Sequence, residues 1–316
     1  MRRSLALFSA VSAMVSTILA MPTSAAEIPF SRLYVFGDSY SDSGASRTVS
    51  SEAVNAKIPQ AVVLPADDKT GLYWKGRWSN GPTAVEDLAN KMGAPIENVA
   101  VGGARCGSGN YYTWLDGWRD TGLRGQVLSF IYARPRLDPA ALYVLGASAN
   151  DFFLHEDMAT PQPLPAIAEQ CAQEMKGAIE LLQQHGARHF LIFGAYSLDR
   201  VPAVAKDPHA AAEARAFQAE YDRRAQTAIE PITASAGSHI VWFSWSNATE
   251  KLLANNQPER LSDVVHPCQP TLPAPGKVCG DPDAHLWWDE YHPTRRAHAL
   301  IAQQMLDVVR ESASAH

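Results

Sequence analysis

Five short apolar runs recur along the chain at intervals that leave room for a helix between them. They cover residues 33–36, 96–101, 141–145, 190–193 and 240–243. Apolar side chains fill both faces of each run, as in parallel strands buried between layers of helices. Helical patterns follow over residues 83–92, 164–184, 210–235 and 295–311, while residues 46–80 are predicted to form long loops. This alternation predicts an α/β fold: a three-layer α/β/α sandwich around a mostly parallel, five-stranded sheet.

The first residues fit a secretory signal. Arg2 and Arg3 precede an apolar stretch over residues 5–20, and Ser24, Ala25 and Ala26 form a small-residue cleavage site. The stretch contains serines and is short for a membrane span of about 20 apolar residues. We therefore expect a signal peptide over residues 1–26 and a secreted or periplasmic protein. Residues 27–316 contain no linker or repeat, which predicts a single domain.

The net charge of the chain gives a weak indication of its partners. The sequence has 27 basic and 33 acidic residues, a formal net charge of −6. A mildly acidic surface disfavours nucleic acid and weakly attracts cations. We expect a monomer whose partner is a small molecule, and no cofactor or metal, because no His or Cys spacing suggests a zinc site.

Four cysteines, Cys106, Cys171, Cys268 and Cys279, occur in a chain predicted to enter an oxidising compartment. Disulfides are therefore expected, and four cysteines allow three pairings. Cys268 and Cys279 flank a segment rich in proline and glycine, which favours a bridge that closes a surface loop. For Cys106 and Cys171, a second bridge and two buried free thiols are both open.

Two short motifs at opposite ends of the chain carry groups for nucleophilic catalysis. The first apolar run ends in Gly37-Asp38-Ser39, which places a serine at the exit of a strand, where parallel sheets bind ligands. Asp289 and His292 supply the acid and base that activate a serine. Each motif alone is more typical of a turn or a helix cap. Their joint occurrence favours a hydrolase over a structural reading.

Four blocks in this order resemble the GDSL, or SGNH, family of serine hydrolases, over nearly the whole mature chain. They are FGDSYSDSG at 36–44, NVAVGGA at 98–104, Asn150-Asp151, and Asp289 with His292. The resemblance implies the flavodoxin-like sandwich, with Ser39 as nucleophile, His292 as base and Asp289 as acid. It also implies an oxyanion hole formed by the backbone N–H groups of Ser39 and Gly103 and the Asn150 side chain. Ser148 departs from the glycine usual in the third block.

The segment at 76–82 is similar to one in secreted bacterial choline-ester hydrolases and lipase/acyltransferases of this family. Aromatic residues near the motifs are candidate substrate contacts: Tyr111, Tyr112, Trp114, Trp287 and Trp288. Such rings can hold a quaternary ammonium by cation–π attraction. The first hypothesis is therefore a secreted serine esterase that hydrolyses short-chain choline esters such as acetylcholine through an acyl-enzyme.

Three alternatives stay open at this stage. The same residues could hydrolyse or transfer acyl chains of lysophospholipids and phospholipids, with peripheral contact to lipid. They could remove O-acetyl groups from carbohydrate polymers, with the aromatic rings as stacking platforms. A non-catalytic binding protein that keeps the fold is the alternative from a different class.

Overall fold

A five-stranded sheet forms the centre of the computed structural model, which describes residues 30–65, 72–235, 237–254 and 261–314. Its strands are β1 (Leu33–Gly37), β2 (Ile96–Asn98), β3 (Leu142–Gly146), β4 (His189–Phe193) and β5 (His239–Phe243). They lie in the order β2-β1-β3-β4-β5, and every adjacent pair is parallel. The predicted parallel five-stranded sheet is thus confirmed.

The central strands carry the expected burial. All five residues of β1 and of β3 are buried, since helices cover both faces of the sheet. The edge strand β2 is shorter than the apolar run predicted, because it ends at Asn98. There the Asn98 side chain donates to the carbonyl of Ser41 at 2.6 Å and accepts from the Ala100 N–H at 3.0 Å. Backbone bonds to β1 continue past the end of β2, since the N–H groups of Val99 and Val101 donate to the carbonyls of Val35 and Gly37.

Helices pack on both faces of the sheet. They are α1 (Ala45–Asn55), α2 (Ala84–Met92), α3 (Leu123–Ala133), α4 (Ala149–Met158), α5 (Leu164–Gln184), α6 (Pro202–Ala205), α7 (Pro208–Ser235), α8 (Trp245–Leu253) and α9 (Arg295–Ser314). α5 packs against α3 and α7, and α9 packs against α2 and α8. In the described ranges, no helix combines the length and apolarity that a bilayer span requires. The signal peptide predicted for residues 1–26 lies outside the described residues.

The prediction of long loops over residues 46–80 is wrong in its first part, where α1 forms. Asp42 accepts hydrogen bonds from the N–H groups of Gly44 and Ala45, both at 2.7 Å, which satisfies donors at the start of this helix. The buried face of α1 consists of Ser46, Val49, Ser50 and Ala53. Two of these four residues are serines, so the apolar periodicity that reveals a helix is weak here.

Both cysteine pairs form disulfides, which excludes free thiols at Cys106 and Cys171. The Cys106–Cys171 bridge joins the segment after β2 to α5, and both residues are buried. The Cys268–Cys279 bridge closes the proline-rich loop as expected. A small parallel sheet of β6 (Asp263–Pro267) and β7 (His285–Trp287) lies beside this loop and precedes the segment that carries Asp289.

Candidate active site

The candidate site lies at the carboxyl ends of β1 and β3. The chain passes from β1 to β2 on one side and places β3 on the other, and this change of direction creates a crevice in which open parallel sheets bind ligands. Ser39 follows β1 and Asn150 follows β3. Both residues, with Gly103 and His292, line one cavity of about 550 Å³. The sequence-predicted groups therefore meet in one place.

Ser39, His292 and Asp289 form a continuous hydrogen-bonded array. The Nε2 atom of His292 lies 2.9 Å from Ser39 Oγ, although 253 residues separate the two in sequence. Its Nδ1 atom lies 2.9 Å from Asp289 Oδ1 and 2.8 Å from Oδ2. This arrangement allows the imidazole to accept the serine proton while the carboxylate fixes the opposite ring N–H.

The Asp289 carboxylate is buried and heavily hydrogen-bonded. Burial favours the neutral acid, but the charge and the hydrogen bond of His292 outweigh it, with help from Tyr291 and Tyr73, and the pKa of Asp289 is lowered. Its Oδ1 atom accepts from the backbone N–H groups of Tyr291 at 2.8 Å and His292 at 2.7 Å. Asp289 therefore stays ionised at neutral pH, as the acid of such an array requires.

Two features of the backbone at Gly103 require glycine at this position. Its φ angle is +82°, in the left-handed region that side chains rarely adopt. A Cβ atom there would also lie 2.2 Å from Asn110 Oδ1. The backbone at Gly103 is thus held close to Asn110, whose Nδ2 donates to the Gly102 carbonyl at 3.0 Å.

Asp42 connects the segment that carries Gly103 to the turn that carries Ser39. The Gly102 N–H donates to Asp42 Oδ2 at 3.0 Å and to Ser46 Oγ at 2.7 Å, and the Ser46 hydroxyl itself donates to Asp42 Oδ2. The Asp42 side chain is fully buried. One carboxylate therefore connects the start of α1 to the segment beside Ser39.

Asn150 faces the cavity from the first turn of α4. Its Nδ2 atom donates to the Ala104 carbonyl at 2.9 Å. An amide nitrogen carries two hydrogens, so this bond orients the group and leaves the second hydrogen for a ligand. The preceding Ser148 has φ −166°, outside the left-handed region that favours glycine. The departure from glycine at Ser148 thus involves no left-handed φ angle.

The family model of the GDSL-like lipase/acylhydrolases matches residues 33–305. The chain belongs to this family. It is accordingly a carboxylic ester hydrolase. A GDSL esterase/lipase of Arabidopsis thaliana is 25% identical over 328 residues, covering 87% of this chain and 85% of the relative. The phosphatidylcholine-sterol acyltransferase of Aeromonas hydrophila is 24% identical over 315 residues, covering 87% and 88%.

A solved structure gives a further comparison. The chain is similar to an acetylxylan esterase from Geobacillus stearothermophilus, with a TM-score of 0.47 and 12% sequence identity. The match covers 88% of this chain and 94% of that one.

Three of the five aromatic residues predicted to contact substrate do not line the cavity: Trp114, Trp287 and Trp288. Trp287 lies in β7, packs in the main core and donates its Nε1–H to the Val264 carbonyl at 3.1 Å. Trp288 is also buried, and Trp114 packs against a small separate core. Tyr111 and Tyr112 do line the cavity.

Other cavity residues were not singled out from the sequence as substrate contacts. They are mostly apolar or aromatic and include Leu64, Tyr73, Trp78, Phe153, Asp157 and Tyr291. Trp78 packs against His292 with ring centroids 5.3 Å apart, and Arg77 beside it pairs with Glu86 at 2.6 Å. Tyr291 adjoins the His292 motif, which was the available signal. Asp157 and Phe153 had none, because only α4 brings them to the cavity.

Cys106, Asp151 and Cys171 cluster as metal ligands do, but their chemistry does not fit a metal site. The three side chains lie close together, but the two sulfur atoms are bonded to each other. The Asp151 carboxylate accepts a hydrogen bond from the Cys106 N–H at 2.8 Å instead. These residues therefore act as structural support for the segment between Gly103 and α5.

The buried Asp38, next to Ser39, should make folding stability depend on pH. Burial raises its pKa to about 7, although the Tyr40 N–H, Tyr196 and His292 lower it. The folded protein then binds more protons than the unfolded chain between pH 4 and 7, so stability falls as pH rises through this window. Asp38→Asn, which cannot ionise, should reduce that fall by roughly 2–4 kcal/mol in urea unfolding at pH 4–8.

A matched variant keeps this test specific. Asp138 has a lowered pKa, mainly through a hydrogen bond from Ser31, so Asp138→Asn should not flatten the decline between pH 4 and 7. Asp151 and Asp222, whose burial raises both pKa values to about 6, should leave a residual slope in Asp38→Asn. An unchanged slope in Asp38→Asn would show that Asp38 is ionised in the folded protein throughout this range.

Proposed function

We propose that this chain is a secreted serine esterase that hydrolyses short-chain choline esters, such as acetylcholine, through an acyl-enzyme intermediate. The observation that carries the proposal is the array of Ser39, His292 and Asp289 at a cavity that Gly103 and Asn150 also line. Two disulfides support an oxidising destination outside the cytosol. The expected state is a monomer.

In the first half of the reaction, Ser39 Oγ attacks the ester carbonyl carbon and its proton passes to His292 Nε2. The carbonyl oxygen becomes an oxyanion, which accepts from the backbone N–H groups of Ser39 and Gly103 and from Asn150 Nδ2. Collapse of this intermediate breaks the bond to the alcohol oxygen, and His292 returns the proton to the leaving alcohol.

In the second half, a water molecule takes the place of the alcohol. His292 accepts a proton from the water, and the water oxygen attacks the acyl carbon. The bond from that carbon to Ser39 Oγ then breaks, His292 returns the proton to Oγ, and the acid is released. Asp289 remains ionised throughout and holds the imidazole with its Nδ1–H toward the carboxylate, in agreement with the lowered pKa of Asp289.

The charge and composition of the cavity wall support a cationic alcohol moiety. Asp157 lies in the wall, and the Tyr111 hydroxyl donates to its Oδ2 atom at 2.6 Å. Phe153 and Tyr291 meet edge to face nearby, with ring centroids 5.3 Å apart. The described lining residues include no lysine or arginine. Cation–π contacts of about 0.5–2 kcal/mol each would add to the attraction of Asp157.

Covalent labelling tests the enzyme mechanism itself. A fluorophosphonate probe should label the wild-type protein and not Ser39→Ala, because only an activated serine attacks the phosphorus. Circular dichroism of Ser39→Ala checks that the fold is intact. Folded wild-type protein that fails to react would instead support a non-catalytic binding protein.

Substrate comparison tests the choline preference. Acetylcholine and 3,3-dimethylbutyl acetate have nearly the same shape and differ in charge, so KM should be about tenfold lower for acetylcholine, a difference of 1.4 kcal/mol. Asp157→Asn should narrow this ratio without changing KM for the neutral ester. Equal KM values in the wild type would refute the choline proposal and leave ester hydrolysis in place.

A lipid acyl ester is the second candidate, since apolar side chains surround the cavity entrance. Val62 and Leu272 line the cavity and are each 49% exposed, which suits an acyl chain or a lipid surface. The relative from Aeromonas hydrophila is named a phosphatidylcholine-sterol acyltransferase. A higher kcat/KM for lysophosphatidylcholine than for acetylcholine, rising further on lipid aggregates, would favour this candidate.

A further inference from the structure

The Asp289 carboxylate has a partner that lies far from it in sequence. Its Oδ2 atom accepts from His292 and also from the hydroxyl of Tyr73, at 2.7 Å and 216 residues away. The backbone donors to Asp289 all come from its own turn and serve Oδ1. The Tyr73 hydroxyl is thus a donor to this carboxylate from outside that turn.

The loop that carries Tyr73 is fixed, through the residues that follow Tyr73, to the segment that follows His292. Trp74 N–H donates to the Ser79 carbonyl at 2.9 Å, and the Ser79 hydroxyl donates to the Pro293 carbonyl at 2.8 Å. The Asn80 side chain accepts from the Arg295 N–H at 2.7 Å. The Tyr73 phenol is therefore held against Asp289 by a closed loop.

We infer that Tyr73 is a positioning residue for the catalytic acid, an inference that rests on the proposed serine esterase mechanism. Its hydroxyl fixes the plane of the Asp289 carboxylate relative to the imidazole and takes up part of its negative charge. Burial and the neighbouring Asp289 raise the pKa of Tyr73 far above its usual range, so the phenol remains a neutral donor at all working pH values.

This role has a consequence for His292. A donor to a carboxylate weakens the field that the carboxylate exerts on its other partners. Without the Tyr73 hydroxyl, Asp289 attracts the imidazolium more strongly. The protonated ring is then favoured over the neutral imidazole that acts as base.

Tyr73→Phe tests the inference with the ring retained. The acid limb of the kcat profile for p-nitrophenyl acetate should move up by roughly 0.5–1 pH unit, and kcat on the plateau should fall severalfold with little change in KM. In the same variant, the pH-dependent change in the chemical shift of the His292 Nδ1–H proton should move to higher pH by a similar amount. The NMR titration needs no turnover, so it also covers a variant with low activity.

Tyr143→Phe is the matched control, because it also removes a tyrosine hydrogen bond, to the Asp138 carbonyl at 2.9 Å, far from the site. It should lower stability without moving the acid limb or the NMR titration. Unchanged titration of His292 in folded Tyr73→Phe would overturn the inference. If the wild type and Ser39→Ala hydrolysed esters equally, the proposed function would be overturned instead.

Discussion

Asp289→Asn should lower kcat about 10⁴-fold while the fold stays intact. The two backbone N–H groups at Oδ1 require an acceptor, so the asparagine carbonyl occupies that position and the amide nitrogen replaces Oδ2. That nitrogen then donates to His292 Nδ1, and the ring hydrogen moves to Nε2, which faces Ser39. The imidazole can no longer accept the serine proton. Steady-state kinetics on a neutral short-chain ester measure the loss.

The charge change alone does not explain such a result. Asp283→Asn removes the same charge from an exposed pair with Arg295 and should keep kcat near the wild-type value. A loss of less than tenfold in Asp289→Asn would mean that Asp289 does not set the tautomer of His292, and the assignment of the acid would have to be abandoned.

Asn150→Ala should lower kcat about 10²–10³-fold, with little effect on KM, because the charge that its amide stabilises develops mainly in the transition state. The same substitution removes the bond to the Ala104 carbonyl, which should cost about 1 kcal/mol of folding stability. Pre-steady-state measurement of acylation separates the chemical step from product release.

Asn150→Asp provides a sharper comparison of equal size. A carboxylate there offers an acceptor where the oxyanion needs a donor, so kcat should fall at least as far as in Asn150→Ala. Asn247→Ala, at an exposed position of α8, should change neither kinetics nor stability appreciably. Near-normal turnover in Asn150→Ala would refute the oxyanion role of this side chain.

The fold could be predicted because buried parallel strands appear in the sequence as continuous apolar runs. β1, β3 and β4 consist of consecutive apolar residues, and α5 begins and ends at the residues that its pattern predicts. α1 was missed since Ser46 and Ser50 occupy buried positions, where their hydroxyl groups make hydrogen bonds. Serines that point inward carry no hydrophobic signal.

The candidate site likewise contains residues that local motifs predicted and residues that they did not. Ser39, Gly103 and Asn150 lie in short motifs after β1, β2 and β3, which are neighbours in the central sheet. His292 lies in a motif after β7, in the separate two-stranded sheet. Tryptophans beside Asp289 were assigned to the cavity by proximity in sequence, but Trp287 belongs to a strand that turns its ring into the core. Tyr73 reaches Asp289 only through the folding of a loop, which no local pattern records.

The Cys106–Cys171 bridge makes the geometry of the candidate site depend on oxidation of the two thiols. It fastens the stretch leading away from Gly103 onto α5, and Asp151, directly after Asn150, binds the Cys106 N–H. The segments that carry Gly103 and Asn150 thus share one covalent tether that requires oxidation. A chain whose two cysteines are reduced lacks this tether, so only non-covalent contacts then hold the Gly103 segment beside Asn150.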